Sequence, residues 1–293
     1  MGIDRPGEDD LPHPDDMFRG VTGRASRVAV EERDRSEYYD ALRAAAGDAS
    51  REQWADAADR FRQSWAGHCD RWPQAARAAP DRSADPPGSW RGDSGRYLDT
   101  AANADVEERC GQIADIERTV ITPAMREIEF QDPGRHLAGL DHRLKGPDRL
   151  KDKVAAQLEV QPDLVSSEAL STLKDTLRFT FCYQNDHYTD GVLADTDRLQ
   201  AQGFERVGWR NTWADDLYRG INSWWRDPDT GLIFEVQFHT DASYEAKQLT
   251  HLAYERLRDP NTTRAEKREL EALQRGVTES VSIPSSALGI EGY

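Results

Sequence analysis

The sequence predicts an α+β fold: a mixed, mostly antiparallel sheet of about four or five strands, flanked by helices and preceded by a helical N-terminal region. Three observations point there. Runs rich in β-branched and aromatic residues, at 177–183, 204–213, 218–225 and 232–240, read as strands. Stretches with apolar residues at three- and four-residue spacing lie before, between and after them. The sequence Asp227-Pro228-Asp229-Thr230-Gly231 supplies a turn between the last two strands.

Residues 1–35 are rich in Asp, Glu, Arg, Gly and Pro and read as a flexible leader. From 36 to about 74 the spacing is helical, with Trp54, Ala58, Phe61 and Trp65 recurring on one face. A Pro/Gly/Asp/Ser-rich connection covers 80–95. A further helix then carries Val106, Cys110, Ile113 and Ile116 on one face and runs on toward Met125 and Ile128, completing a helical region over 36–134. The remaining unit, 135–293, holds the strands. Pro147 opens a helix with Leu150, Val154 and Leu158 on one face. Residues 187–202 read as a helix between strands, and helices over 242–258 and 263–275 close the chain.

No apolar run approaches the roughly 20 residues of a membrane span, so no membrane partner is expected. The first residues lack the basic start and apolar centre of a signal peptide, which makes the cytoplasm the expected location, with signal-independent export left open. A net charge of -16 argues against broad adhesion to nucleic acid or anionic lipid. Binding a polyanion would need a local concentration of Lys and Arg. The three cysteines, Cys69, Cys110 and Cys182, show neither metal-ligand spacing nor a disulfide framework, and buried packing is their expected role.

Four clusters carry chemistry-bearing residues. Alternation along 234–240 puts Glu235, Gln237 and His239 on one side of a strand and Phe234, Val236 and Phe238 on the other. Alone, that pattern suits a strand turning its polar face to solvent. Arg143 and Lys145, with Lys153 on the following helix, form a basic patch able to hold a polyphosphate, or an ordinary solvated basic face. Asp175 and Arg178 suit a metal ligand and a phosphate ligand, or a turn and a surface ion pair. Tyr218, Gly220 and Asn222 suit stacking and hydrogen bonding to a base, or core packing of the tyrosine.

Taken in this order, the clusters resemble the synthetase domain of the RelA/SpoT family of nucleotide pyrophosphokinases. Arg143-Leu144-Lys145-Gly146-Pro147 is similar to the family's R-x-K-x-P segment, and Lys153 stands where its second lysine falls. Arg178 matches the arginine of the next strand. Leu217-Tyr218-Arg219-Gly220-Ile221-Asn222 resembles G-Y-R-S-L-H, and Glu235-Val236-Gln237-Phe238-His239-Thr240 resembles E-[VI]-Q-[IL]-R-T. His251 falls at the place of an E-H pair, with Thr250 replacing the acid. The likeness covers roughly residues 135 to 260. Wording is closest to actinobacterial and toxin-associated relatives. Asp175 lies three residues before Arg178 rather than the family's five, and Asn222 and His239 replace a histidine and an arginine.

The resemblance implies a nucleotidyltransferase-like synthetase fold and a Mg²⁺-dependent transfer of pyrophosphate from ATP to the ribose 3'-hydroxyl of a purine nucleotide. The product would be of the (p)ppGpp or (p)ppApp type, with AMP released. Arg143, Lys145, Lys153 and Arg178 would hold ATP. Asp175 and Glu235 would be the catalytic pair and the metal ligands, and Tyr218, Asn222, Gln237, His239 and His251 would bind the acceptor. Two alternatives accompany this reading. One is a toxin that pyrophosphorylates the tRNA 3' end, with an immunity or antitoxin protein as partner; the other is a catalytically degenerate nucleotide-binding sensor.

Overall fold

A computed structural model describes residues 48–73 and 79–291, and the leader expected over 1–35 lies outside them. Five strands form a mixed sheet in the order β3-β4-β7-β6-β5: β3 (Arg135–Leu137), β4 (Arg178–Tyr183), β5 (Glu205–Asn211), β6 (Ile221–Arg226) and β7 (Ile233–Thr240). The β4/β7 pair is parallel, and the β3/β4, β5/β6 and β6/β7 pairs are antiparallel. The sheet is therefore mixed and mostly antiparallel, as expected. A separate two-stranded hairpin pairs β1 (Trp90–Arg91), inside the 80–95 connection that sequence left without structure, with β2 (Tyr97–Leu98), just past it.

Helices surround the sheet: α1 (Asp48–Arg71), α2 (Thr100–Ile116), α3 (Thr122–Phe130), α4 (Pro147–Val160), α5 (Ser166–Thr172), α6 (Tyr188–Ala201), α7 (Asp241–Leu249), α8 (His251–Arg258) and α9 (Arg264–Thr278). Between α2 and α3 a wider π turn, Glu117–Ile121, keeps the helical path continuous while shifting the face that follows. Phe234, Val236 and Phe238 enter the hydrophobic core with Phe179, Phe181 and Tyr183 of β4. Trp54, Ala58 and Phe61 of α1 join the same core. His68 Nδ1 lies 3.1 Å from a carboxylate oxygen of Glu269 on α9, which Arg71 also reaches.

Three sequence-based expectations need correction. Of the cysteines expected to pack inside, Cys182 is buried and Cys110 partly covered, but Cys69 near the end of α1 is exposed. The helix expected over 242–258 is broken at Thr250, whose hydroxyl donates back to the Ala246 carbonyl at 2.8 Å while its backbone leaves the helical region. The strand expected from Tyr218 starts only at Ile221, because Gly220 adopts φ 153° and turns the preceding residues out of the ladder.

Candidate functional site

Register builds the site. In the parallel β4/β7 pair Arg178 stands opposite Glu235, Thr180 opposite Gln237 and Cys182 opposite His239. On the other side of β7, Trp224 stands opposite Glu235 and Asn222 opposite Gln237. Side chains paired across a ladder share a face, so one polar surface crosses β4, β7 and β6. This face is not the solvated surface that the alternation alone suits. Glu235 and Gln237 are each 5% exposed and His239 is fully buried. A buried polar row survives only when its members are paired.

At one end of the face, cations meet carboxylates. Lys145 Nζ donates to Asp175 Oδ2 at 2.6 Å, and Lys153 Nζ donates to both oxygens of the same carboxylate at 2.7 Å. Burial works against the charge on Asp175, but the two ammonium groups outweigh it and hold its pKa down to about 2. Burial lowers the Lys145 pKa to about 8 despite that partner. Arg178 Nε donates to Glu235 Oε2 at 2.7 Å. Burial again opposes the charge, and the Glu235 carboxylate overcomes it, raising the Arg178 pKa above its ordinary value. Arg143 sits with a different acid: its Nε donates at 2.6 Å to Glu117, a buried residue in the π turn. Arg143 is not extended, as the alternation with Lys145 suggested, but closes a single 3-10 turn over Leu140–His142 with helical backbone angles. The segment from Arg143 to Lys145 is held to the start of β4, since Arg178 N donates to the Arg143 carbonyl at 2.7 Å and Lys145 N to the Thr176 carbonyl at 3.0 Å.

At the other end, a neutral chain of hydrogen bonds replaces the ion pairs. The Tyr218 hydroxyl donates to Asn222 Oδ1 at 2.9 Å and lies 2.9 Å from His239 Nε2; His239 Nδ1 lies 2.8 Å from Ser243 Oγ. The chain is satisfied when Nε2–H donates to the tyrosine oxygen and the serine hydroxyl donates to Nδ1. A neutral imidazole fits, because burial, assisted by the nearby charge of Lys247, pushes its pKa well below the ordinary value. Gly220 allows this arrangement: a Cβ there would stand 2.7 Å from His239 Cε1. Ser243 is held in turn by a capping box with Thr240 at the start of α7.

Gln237 lies between the two ends, opposite Asn222 in the ladder. Its amide nitrogen donates to Glu235 Oε1 at 3.0 Å, and its oxygen accepts from Lys247 Nζ. Lys247 was not among the residues that sequence singled out. Its burial, with Arg178 nearby, lowers its pKa to about 7. No sequence signal marked Lys247, because its contact with Gln237 arises only when α7 folds back over β7. Glu117 was missed because nothing local marks a π turn. Tyr218, Arg219, Ser243, Lys247, Thr250 and Val281 line a small cleft beside this end of the face.

The structure thus gathers Lys145, Lys153, Asp175, Arg178, Glu235, Gln237, Asn222, Tyr218 and His239 along one connected surface. Arg143 borders it through backbone pairing but directs its guanidinium to Glu117. His251 stands apart from the hydrogen-bonded row, on the exposed first turn of α8, 3.4 Å from Glu255. Asp175 and Glu235 fit a magnesium ion in kind, since hard cations take carboxylate oxygens. Their oxygens are now engaged by Lys145, Lys153, Arg178 and Gln237. Coordination would require these donors to yield to the metal.

No family model matches the chain, and no curated protein matches it. Among solved structures it is similar to the small alarmone synthetase 1 from Bacillus subtilis, at 15% identity and a TM-score of 0.40, over 60% of this chain and 88% of that one. The same synthetase bound to its product pppGpp gives 16% identity and a TM-score of 0.37, over 60% of this chain and 88% of that one. A GTP pyrophosphokinase family protein from Streptococcus pneumoniae gives 17% identity and a TM-score of 0.36, over 60% of this chain and 85% of that one. At such low similarity neither fold nor activity passes from them to this chain.

Proposed function

We propose that this protein is a Mg²⁺-dependent pyrophosphokinase that transfers pyrophosphate from ATP to the ribose 3'-hydroxyl of a purine nucleotide, releasing AMP. The observation that supports this reading best is the single face on which Lys145, Lys153 and Arg178 meet the carboxylates Asp175 and Glu235. Phosphoryl-type transfer asks chiefly for positioning and charge neutralisation, and this face offers both. The three cations are charge-assisted donors for a triphosphate once it displaces their present partners. Arg143, beside them in the chain, would join by exchanging Glu117 for a phosphate oxygen.

A magnesium ion, when bound by Asp175 and Glu235, would supply neutralisation of charge on the transferring phosphates. Glu235 stands between Arg178 and Gln237 on the face. The Gln237 amide and Arg178 both hold its carboxylate, so its orientation is set from two sides. It would take the proton of the attacking hydroxyl. Tyr218 would stack on the acceptor base, with Asn222 and His239 orienting the phenol and Gln237 bordering the ribose. His251 would reach the acceptor only at the rim of the site.

Incubation with ATP, Mg²⁺ and ADP, GDP, GTP or tRNA separately should release AMP with one class of acceptor, and mass spectrometry should find a 3'-pyrophosphorylated product. Transfer to tRNA alone would assign the toxin reading and with it an antitoxin partner. Nucleotide binding by calorimetry with no AMP from any acceptor would sink the enzymatic proposal in favour of a sensor.

A further inference from the structure

The polar face extends beyond the proposed catalytic row, to the edge strand. β3 runs antiparallel to β4 with His136 directly opposite Cys182, and Cys182 stands opposite His239 across the parallel pair. Asp241 follows β7 as the first residue of α7. Three elements far apart in sequence thus bring an imidazole, a thiol and a carboxylate together. One ligand atom from each lies within 4.8 Å of the other two, and His136 Nε2 is 3.7 Å from Asp241 Oδ1.

Metal–ligand bonds of about 2.0–2.3 Å at tetrahedral angles place donor atoms about 3.3–3.8 Å apart. The His136–Asp241 separation already falls in that range, and small side-chain rotations would close the rest. Phe181 and Tyr183, the neighbours of Cys182 in β4, belong to the hydrophobic core cluster, whereas Cys182 itself is 1% exposed yet stands outside that cluster, on the polar face. His136 and Asp241 are 26% and 32% exposed, so the group can be reached from solvent on their side.

We propose that His136, Cys182 and Asp241 form a binding site for a divalent transition metal of the zinc class, with a fourth position open to solvent. The donor set selects the metal. A thiolate with one imidazole and one carboxylate suits Zn²⁺ or Co²⁺ and is a poor match for Mg²⁺. The thiol gives up its proton to solvent as the metal binds. The site is separate from Asp175 and Glu235, and it does not depend on the pyrophosphokinase reading.

Titrating the chelator-stripped full chain with Co²⁺ alone tests it. One equivalent should bind, with a near-ultraviolet thiolate charge-transfer band and tetrahedral visible bands. Cys182→Ser should abolish the charge-transfer band, and a Cys69→Ser/Cys110→Ser double variant should keep it. His136→Ala and Asp241→Asn should each weaken binding about tenfold or more. If Cys182→Ser fails to fold by circular dichroism, the double variant and the His136 and Asp241 variants carry the test. No stoichiometric binding would overturn the proposal. So would a band lost in the double variant, or affinities unchanged in both His136→Ala and Asp241→Asn.

Discussion

Glu235 is 5% exposed, and its carboxylate accepts from both Arg178 and Gln237. Replacing it with Gln keeps the shape and one acceptor oxygen for Arg178 but removes the negative charge and the proton acceptor. Turnover should fall by about 10²–10⁴-fold, the usual worth of a positioned acid–base group. Circular dichroism should show an intact fold, and near-normal turnover would remove Glu235 from the mechanism. Lys145 gives a second prediction. With its pKa at about 8 it is charged below that pH and neutral above it, and phosphate binding favours the charged form. kcat/KM for ATP should therefore decline as pH rises through about 8. In Lys145→Arg, charged throughout, the decline should disappear; an unchanged profile would show that this ammonium does not set it. At this scale the alternation along 234–240 made Glu235, Gln237 and His239 legible as one face. Lys247 was not legible, because its role depends on α7 folding back over β7 to reach Gln237.

Elements bring these residues together through their ends. Gly220 precedes β6 at φ 153°, and the ring of His239 occupies the space a Cβ would need. Gly220→Ala should cost about 1–3 kcal/mol from backbone strain. It should also push the imidazole out of its Tyr218–Ser243 chain, so stability by denaturant titration and acceptor KM should both worsen. Unchanged KM in a folded variant would detach the His239 chain from acceptor binding. The longer elements were readable because their patterns repeat, as in α4 after Pro147 and β7 with its alternating core side. The breaks were not. Thr250 ends α7 through a hydroxyl bonded to a carbonyl one turn back, and the π turn at Glu117–Ile121 follows from no local composition. The three-residue β3 is too short to show any period, yet it carries His136.

At the scale of the whole molecule, α1, the first helix among the described residues, shares the core with the sheet. Phe61 on α1 is 5% exposed within the cluster that also holds Phe234 and Phe238. Phe61→Ala should cost about 3–5 kcal/mol, read as a shift in denaturant midpoint. Loss of less than about 1 kcal/mol would mean that α1 adds little to that core. The net charge of -16 argues against a broadly basic surface. It did not reveal how the cations near Asp175 and Glu235 would be arranged, because each is held by an acid brought in through tertiary structure.

The proposed function requires that a pyrophosphoryl group move intact from ATP to a 3'-hydroxyl. ATP labelled at the β-phosphorus tests it most directly, with Mg²⁺ and the accepting purine nucleotide or tRNA present. AMP should be unlabelled and one label should appear in the 3'-pyrophosphate of the product, both forming at least about 10²-fold more slowly with Glu235→Gln. Label remaining in ADP, or no transfer to any acceptor, would contradict it.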